Sequence, residues 1–421
     1  MKKAALLTLL LPFGLMAQTQ SKFIVKLRPG AQLVQLKSVN ADVRSMNVSL
    51  GNFAVVELHN EKQLDLLTSE LKSSSEVEYF EKEQTWTFKP MADMSGEVVQ
   101  DAKFSDQWGL KNTGRNSGGL LSPGKAGEDI NAEKVWGLSR GSKLVKIAVI
   151  DTGIDYNHPD LKANLDINEE ELNGQPGIDD DGNGYVDDIY GYDFANNDGD
   201  PLDGHGHGTH CSGVIGAAHN RDGIRGVMAN VKIFGVKFLS DSGSGSTEGA
   251  IKSIDYAIKR GANVMSNSWG GGGFSQALLD AIVEANDRGI VFVAAAGNSY
   301  ANNDTSDTYP ANYKVDNIIS VGAMDGAGKK ASFSNYGKKT VHVFAPGKNI
   351  ISTVKNGGYQ KMSGTSMACP HVSGIVGLLL SQEPNLSPKE VRDRVMSSAV
   401  RTSNLDKYTA SGRADAYMLL K

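Results

Sequence analysis

The sequence predicts an α/β fold, a doubly wound and mainly parallel sheet, preceded by a small α+β domain. Two observations carry that reading. From residue 143 onward, short runs that are apolar at nearly every position recur between amphipathic stretches. A strand that is apolar throughout is one buried on both faces, and its alternation with helices implies parallel pairing with helices on both sides. Ahead of residue 90, shorter strand-like runs surround one helical stretch, the pattern of a separate small core. The 421 residues accommodate both.

Taken in chain order, the first element is a secretory signal over residues 1–17. Lys2 and Lys3 precede an apolar run at 4–11, and Ala17 is the candidate cleavage residue, with Leu15 larger than the small residue usual two positions earlier. The run is too short to cross a bilayer, and no second apolar span follows. Residues 18–90 read as the small α+β unit. Strands are expected at 22–27, stopped by Arg28-Pro29-Gly30, and at 53–58. Leu64, Leu67 and Leu71 fall at helical spacing, and 77–88 is strand-like again. Residues 89–103 are looser, and 91–103 are read as a linker holding a processing region. The large domain is expected over 104–421. Its strands are expected at 143–150, 231–239, 264–268, 290–296 and 318–323, with helices at 247–260, 275–288 and 367–380. Ser387-Pro388-Lys389-Glu390 opens a further helix, with a Ser cap, Pro at the first helical position and Glu three residues past the cap.

Charged residues make up 22% and hydrophobic ones 40%, a globular balance. The formal net charge is −5 and no basic cluster runs along the chain, so nucleic acid is not an expected partner. Two cysteines, Cys211 and Cys369, are too few for a disulfide scaffold. Two buried thiols are the preferred reading, and a bridge between them stays open at this point.

Three segments carry chemistry. Val149-Ile150-Asp151-Thr152-Gly153 ends an apolar strand, where open α/β sheets place functional groups. His207-Gly208-Thr209-His210-Cys211 opens a run of small residues, so an imidazole sits at a helix start with close packing behind it. Gly364-Thr365-Ser366-Met367 precedes an apolar helix, which puts the Ser366 N–H at a helix N-terminus, where it suits a developing oxyanion. A serine hydroxyl is a weak nucleophile until a base takes its proton, and the base needs a carboxylate to hold its tautomer. Asp151, His207 and Ser366 supply these parts in that chain order. A structural Asp, a core His and a capping Ser are each credible alone; their coincidence is not.

On these three motifs the chain, from about Asp101 to its end, resembles the subtilisin-like serine peptidases, the subtilase family, and residues 18–90 resemble the family's propeptide. The resemblance implies a secreted (extracellular or periplasmic) monomeric endopeptidase made as a self-processing precursor, with protein or peptide substrates and its own propeptide as partners. The strand-like tail 76–88 of that propeptide is expected to enter the substrate groove beside Ser268–Gly270. It assigns the second oxyanion donor to Asn298 of Ala295-Ala296-Gly297-Asn298. It places substrate backbone between two edges, Gly243-Ser244-Gly245 and Ser268-Trp269-Gly270, whose glycines allow close approach of an added strand. Trp269 beside the specificity pocket leads us to expect an apolar wall there. Two other classes are weighed. A non-catalytic scaffold on this fold would show a broken triad, and an ester or lipid hydrolase would more often show a G-x-S-x-G elbow with Ser ahead of Asp.

No cofactor is expected for catalysis, but structural Ca²⁺ is. The stretch 178–188 has oxygen donors at alternate positions with glycines for the bend, and offers Asp179, Asp181, Asn183 and Asp187. It lacks the distal Glu of an EF-hand loop. Asp193, Asn196, Asp198 and Asp200 resemble a calcium loop of some family members, and family matches imply a third set at Asp101, Asp160 and Asn220. Zinc is not expected despite His205, His207 and His210, since the triad claims His207 and no Cys pair supports a site.

Overall fold

The structure, a computed structural model, describes residues 21–33, 36–88, 104–115, 117, 124–220 and 223–421. They fall into two units, one of residues up to 46 together with 51–83, the other of residues 47–50 together with 84–421. The signal segment 1–17, the linker 91–103 and Asp101 lie outside the described residues.

The smaller unit is a four-stranded antiparallel sheet in the order Ala41–Met46, Phe53–Leu58, Ser21–Leu27, Val77–Lys82, with the helix Leu64–Ser73. Alternation dictates its core. Phe23, Val25 and Leu27 face the same side as Ala54, Val56 and Leu58, and Leu67 and Leu71 of the helix close over them. The strand Ala41–Met46 was not expected, because an edge strand with Asp, Arg and Ser in it carries little apolar signal. The expected strand 77–88 proves to be two. Val77–Lys82 belongs to the small sheet, and Thr85–Thr87 pairs elsewhere, in the larger unit.

The larger unit is built on an eight-stranded sheet. Its order is Gly412–Arg413, Val343–Pro346, Ile318–Met324, Val291–Ala295, Val264–Asn267, Gly141–Asp151, Asn230–Lys237, Gly191–Asp193. All its ladders are parallel. From Gly141–Asp151 the chain goes to the edge strand Gly191–Asp193, returns to Asn230–Lys237 between the two, and then crosses to Val264–Asn267 on the other side of Gly141–Asp151, so the winding reverses there. Such a reversal opens a crevice at the C-terminal strand ends, and Asp151 is the last residue of that strand. The helix Thr365–Gln382 lies against the central strands, and every residue from Thr365 to Leu380 is buried. Its Gly374 and Gly377 let Val227 and Met228 approach. Ser246 and Ser275 cap the helices Thr247–Lys259 and Gln276–Asp287, and Ser387 with Glu390 forms the expected capping box of Pro388–Ser397.

Candidate active site

Asp151 is completely buried, and one carboxylate oxygen, Oδ1, accepts both His207 Nδ1–H and the Thr152 N–H, each at 2.7 Å. A bond at Nδ1 leaves Nε2 as the basic nitrogen of a neutral ring. His207 is the first residue of the helix His207–Gly216, entered from Gly206 in the left-handed region (φ 105°). Gly208 has no room for a side chain: a Cβ would collide with the Gly153 carbonyl beside Asp151.

Ser366 is the second residue of Thr365–Gln382. Its hydroxyl donates to the Ser268 carbonyl at 3.1 Å, and Ser268 Oγ donates back to the Ser366 carbonyl at 2.9 Å. The Asn298 side-chain oxygen accepts both the N–H and the hydroxyl of Thr365, at 2.8 and 2.9 Å. That pairing fixes the amide and turns its nitrogen toward Gly364, the residue two before Ser366.

A cleft of about 220 Å³ opens beside Ser366, lined by Ser268, Trp269, Gly270, Asn298 and Thr365 among others. Its remaining wall is mostly small and polar, including Ser299, Ser306, Thr308 and Asn335, with Asp307. The apolar wall expected from Trp269 is therefore not the rule of this pocket. The Trp269 ring is turned to pack edge-on against Phe238 and Trp86 instead.

Both expected edges carry a strand. Thr85–Thr87 runs antiparallel to Ser244–Ser246, with Trp86 opposite Gly245. On the other side Thr87 and Gly270 exchange two backbone bonds, of 3.2 and 2.8 Å. Trp86 is fully buried, and its indole N–H donates to Thr247 Oγ1 at 3.0 Å. Phe88 stacks on the His207 ring, centroids 4.2 Å apart, and also meets the His205 ring edge-on. Gly243, at φ 82°, lies under Phe88, and any Cβ there would strike the ring. Of the tail 76–88, expected in the groove beside Ser268–Gly270, residues 85–88 lie there. Trp86, Thr247 and Phe88 were not singled out as its contacts, since nothing local in the sequence pairs them.

Both cysteines are free and buried, which closes the question of a bridge. Cys211 Sγ points at the Ser366 carbonyl and Cys369 Sγ at the Val293 and Asn267 carbonyls. Burial raises both thiols, Cys369 to about 11, so neither is a nucleophile near neutrality. Burial also holds His210 down to about 3, with Nε2 against the Ile350 and Gln360 carbonyls. His205 is lowered by burial and then by His207.

The acidic stretch is arranged differently from its sequence. Oxygens of Glu171, Asp181 and Asp188 lie within 4.8 Å of one another. The Asn168 and Asn183 amides each bridge Asp181 and Asp188, at 2.8–3.1 Å. Glu171 also accepts the N–H groups of Asp180, Asp181 and Asp187. Asp188 faces Arg260 at 3.1 Å and the Tyr256 hydroxyl at 2.6 Å; burial raises its carboxyl against these two partners. Asp179 instead caps the Asn183 and Gly184 N–H groups, and Asp187 caps Gly177. Glu171 and Asp188 were not read from the sequence. In the second set, Asp193 holds Ala195 and Asn196, Asp198 holds the Asp200 N–H, and Asp200 holds Leu202 and Tyr156. In the third, Asp160 accepts from Asn220, Ile224 and Tyr359. No helix among the described residues is long and apolar enough to cross a membrane.

An aspartate, a histidine and a serine thus stand at the C-terminal edge of a doubly wound parallel sheet, beside a cleft that accepts an extended strand. The family model described as the subtilase family matches residues 142–415. The chain is 38% identical over 291 residues to thermitase of Thermoactinomyces vulgaris, covering 69% of this chain and 93% of thermitase. It is 38% identical over 271 residues to subtilisin DY of Bacillus licheniformis, covering 64% and 89%. It is 39% identical over 280 residues to subtilisin-like protease 1 of Plasmodium berghei, covering 62% of this chain but only 47% of that protein. The chain therefore spans about half the length of the Plasmodium relatives it matches. The chain belongs to the subtilase family.

Proposed function

We propose that this chain is a serine endopeptidase that hydrolyses peptide bonds in proteins through an acyl-enzyme on Ser366. In this reading Ser366 Oγ attacks the scissile carbonyl while His207 Nε2 takes its proton. Asp151 Oδ1 holds the imidazole by Nδ1–H and stabilises the charge that forms. The oxyanion is held by the Ser366 N–H at its helix N-terminus and the Asn298 amide. Collapse expels the amine, which takes its proton from His207. Water then attacks the acyl group with His207 as base and frees Ser366 Oγ.

The observation that carries the proposal is the strand 85–87. It occupies the cleft as an added strand, bonded on one side to Ser244–Ser246 and on the other to Gly270, with Phe88 over His207. A peptide substrate needs the same two edges. It also supports reading residues 18–90 as a propeptide that blocks the enzyme until a cut in the 91–103 region frees the domain 104–421, after export directed by residues 1–17. Gathered carboxylates and carboxamides are the donor chemistry Ca²⁺ takes. Glu171, Asp181 and Asp188, with Asn183 beside them, fit it better than Asp179 or Asp187, because oxygens of those three carboxylates lie within 4.8 Å of one another. The ion would supply structural stability only.

The test is to express wild type and Ser366→Ala, sequence the N-terminus of each exported product, and assay casein against a long-chain ester. Wild type is expected to lose its N-terminal segment and cleave casein; Ser366→Ala is expected to stay uncut. An uncut wild type that hydrolyses only the ester rejects the proposal.

A further inference from the structure

We infer that Asp203 is a positioning residue for His207, one that acts without touching substrate. The inference rests on the peptidase reading above. Asp203 is buried and lies outside the set of residues that line the cleft. Its two carboxylate oxygens accept five hydrogen bonds. Oδ1 takes the Thr152 hydroxyl at 2.9 Å, the His205 N–H at 2.9 Å and the Gly206 N–H at 2.7 Å. Oδ2 takes the Thr209 N–H at 2.9 Å and its hydroxyl at 2.7 Å.

These donors come from both sides of the Asp151–His207 pair. Thr152 follows Asp151 directly, while residues 205, 206 and 209 flank His207. The two sides are also joined to each other. Thr152 Oγ1 accepts the Gly208 N–H, and Thr209 Oγ1 accepts the Asp155 N–H, both at 2.9 Å. The helix His207–Gly216 begins after a glycine that offers no side-chain cap. Asp203 satisfies first-turn N–H groups that have no partner within the helix, and places its charge at the positive end of the helix dipole. Because His207 is the first residue of that helix, whatever fixes the helix end relative to Thr152 also fixes the 2.7 Å contact between His207 and Asp151. A misplacement of about 1 Å at a reacting group costs about 10²-fold in rate.

The test compares Asp203→Ala, Asp203→Asn and Thr152→Val, with kcat expressed per site titrated by an organophosphonate, so that unfolded protein does not count. Asp203→Ala is expected to lose about 10²-fold in kcat per titrated site with KM within about twofold of wild type. Asp203→Asn keeps an acceptor for Thr152 and the 205–206 turn and is expected to recover to within about tenfold of wild type. In proton NMR, the low-field resonance of His207 Nδ1–H should shift or broaden in the Ala variant and return in the Asn variant, which a role in folding alone would not produce. Wild-type kcat per site in Asp203→Ala, with that resonance unmoved, overturns the inference. Should Asp203→Ala fail to fold, wild-type kcat per site in both Thr152→Val and Asp203→Asn overturns it. A wild-type chain that takes no label at Ser366 sinks the peptidase reading and this inference with it, whereas a labelled, fully active Asp203→Ala sinks this inference alone.

Discussion

The cleft around Ser366 and the acidic stretch 168–188 make an instructive pair. Both gather polar side chains in a folded loop region, yet they use them in opposite ways. In the cleft, a few groups converge and each meets a specific partner: Asp151 with His207, Asn298 with Thr365, Ser366 with Ser268. In the acidic stretch most carboxylates close backbone turns, as Asp179 and Asp187 do, and only Glu171, Asp181 and Asp188 come together. Counting carboxylates in a sequence therefore overstates a site. Carboxylates that each close a separate turn do not converge on one point, and convergence of oxygens is what an ion needs.

The sharpest way to break this contrast is at Ser366. Ser366→Ala is expected to lower kcat by about 10⁶, leaving the residual rate that an intact oxyanion hole sustains. Asn298→Ala should lower kcat by about 10²–10³ with KM nearly unchanged. Steady-state kinetics on a peptide substrate measure both, and a large change in KM alone would reassign Asn298 to binding. Trp86 tests the occupied cleft. Residues 18–90 supplied as a separate chain should inhibit the processed enzyme, and Trp86→Ala should weaken that inhibition by about 10²-fold, the loss typical of a buried aromatic anchor. Equal inhibition constants for the two chains would mean that the strand pairing, not the indole, holds the segment.

Smaller effects probe the acidic stretch and the packing beneath the cleft. Chelation of Ca²⁺ is expected to lower the melting temperature by about 5 °C or more and to speed self-digestion, since a ligand bound only to the folded state stabilises it. Superimposable curves with EDTA and with added Ca²⁺ would leave the carboxylates as loop closures only. Acid should also weaken the fold through buried histidines. Burial holds His210 at about 3, His371 at about 4 and His342 at about 4, all below the ordinary 6.5. Between those values and 6.5 the unfolded chain binds more protons than the folded one, so stability is full above about pH 6.5 and falls as pH drops toward about 4. Urea titrations at about pH 7.5 and about pH 4.5 should show a lower midpoint in acid, and His371→Gln should make the drop shallower.

Much of this was open to a reader of the sequence. The buried strands at 143–150, 264–268 and 318–323 were legible because a parallel strand is apolar along its whole length, and the structure places them at Gly141–Asp151, Val264–Asn267 and Ile318–Met324. The strands Gly191–Asp193 and Gly412–Arg413 were not, since two or three residues at a sheet's edges are too few to show a period. Asp151, His207 and Ser366 could be singled out because each sits in a short motif whose neighbours have local reasons to be there: a strand end, a glycine, a helix start.

What the sequence by itself determined, then, is the place of the long buried strands and capped helices and the functional residues at their ends, because local pattern and capping chemistry act between near neighbours in the chain. What only the tertiary structure decided is partnership between side chains that are not near neighbours in the chain. That Trp86 meets Thr247 and Trp269, that Glu171 rather than Asp179 stands with Asp181 and Asp188, and that Asp203 joins Thr152 to the start of the His207 helix all depend on how strands and loops pack once folded, which local pattern does not encode. A carboxylate or an indole has many possible donors and acceptors along a chain, and only the folded packing selects the one it meets.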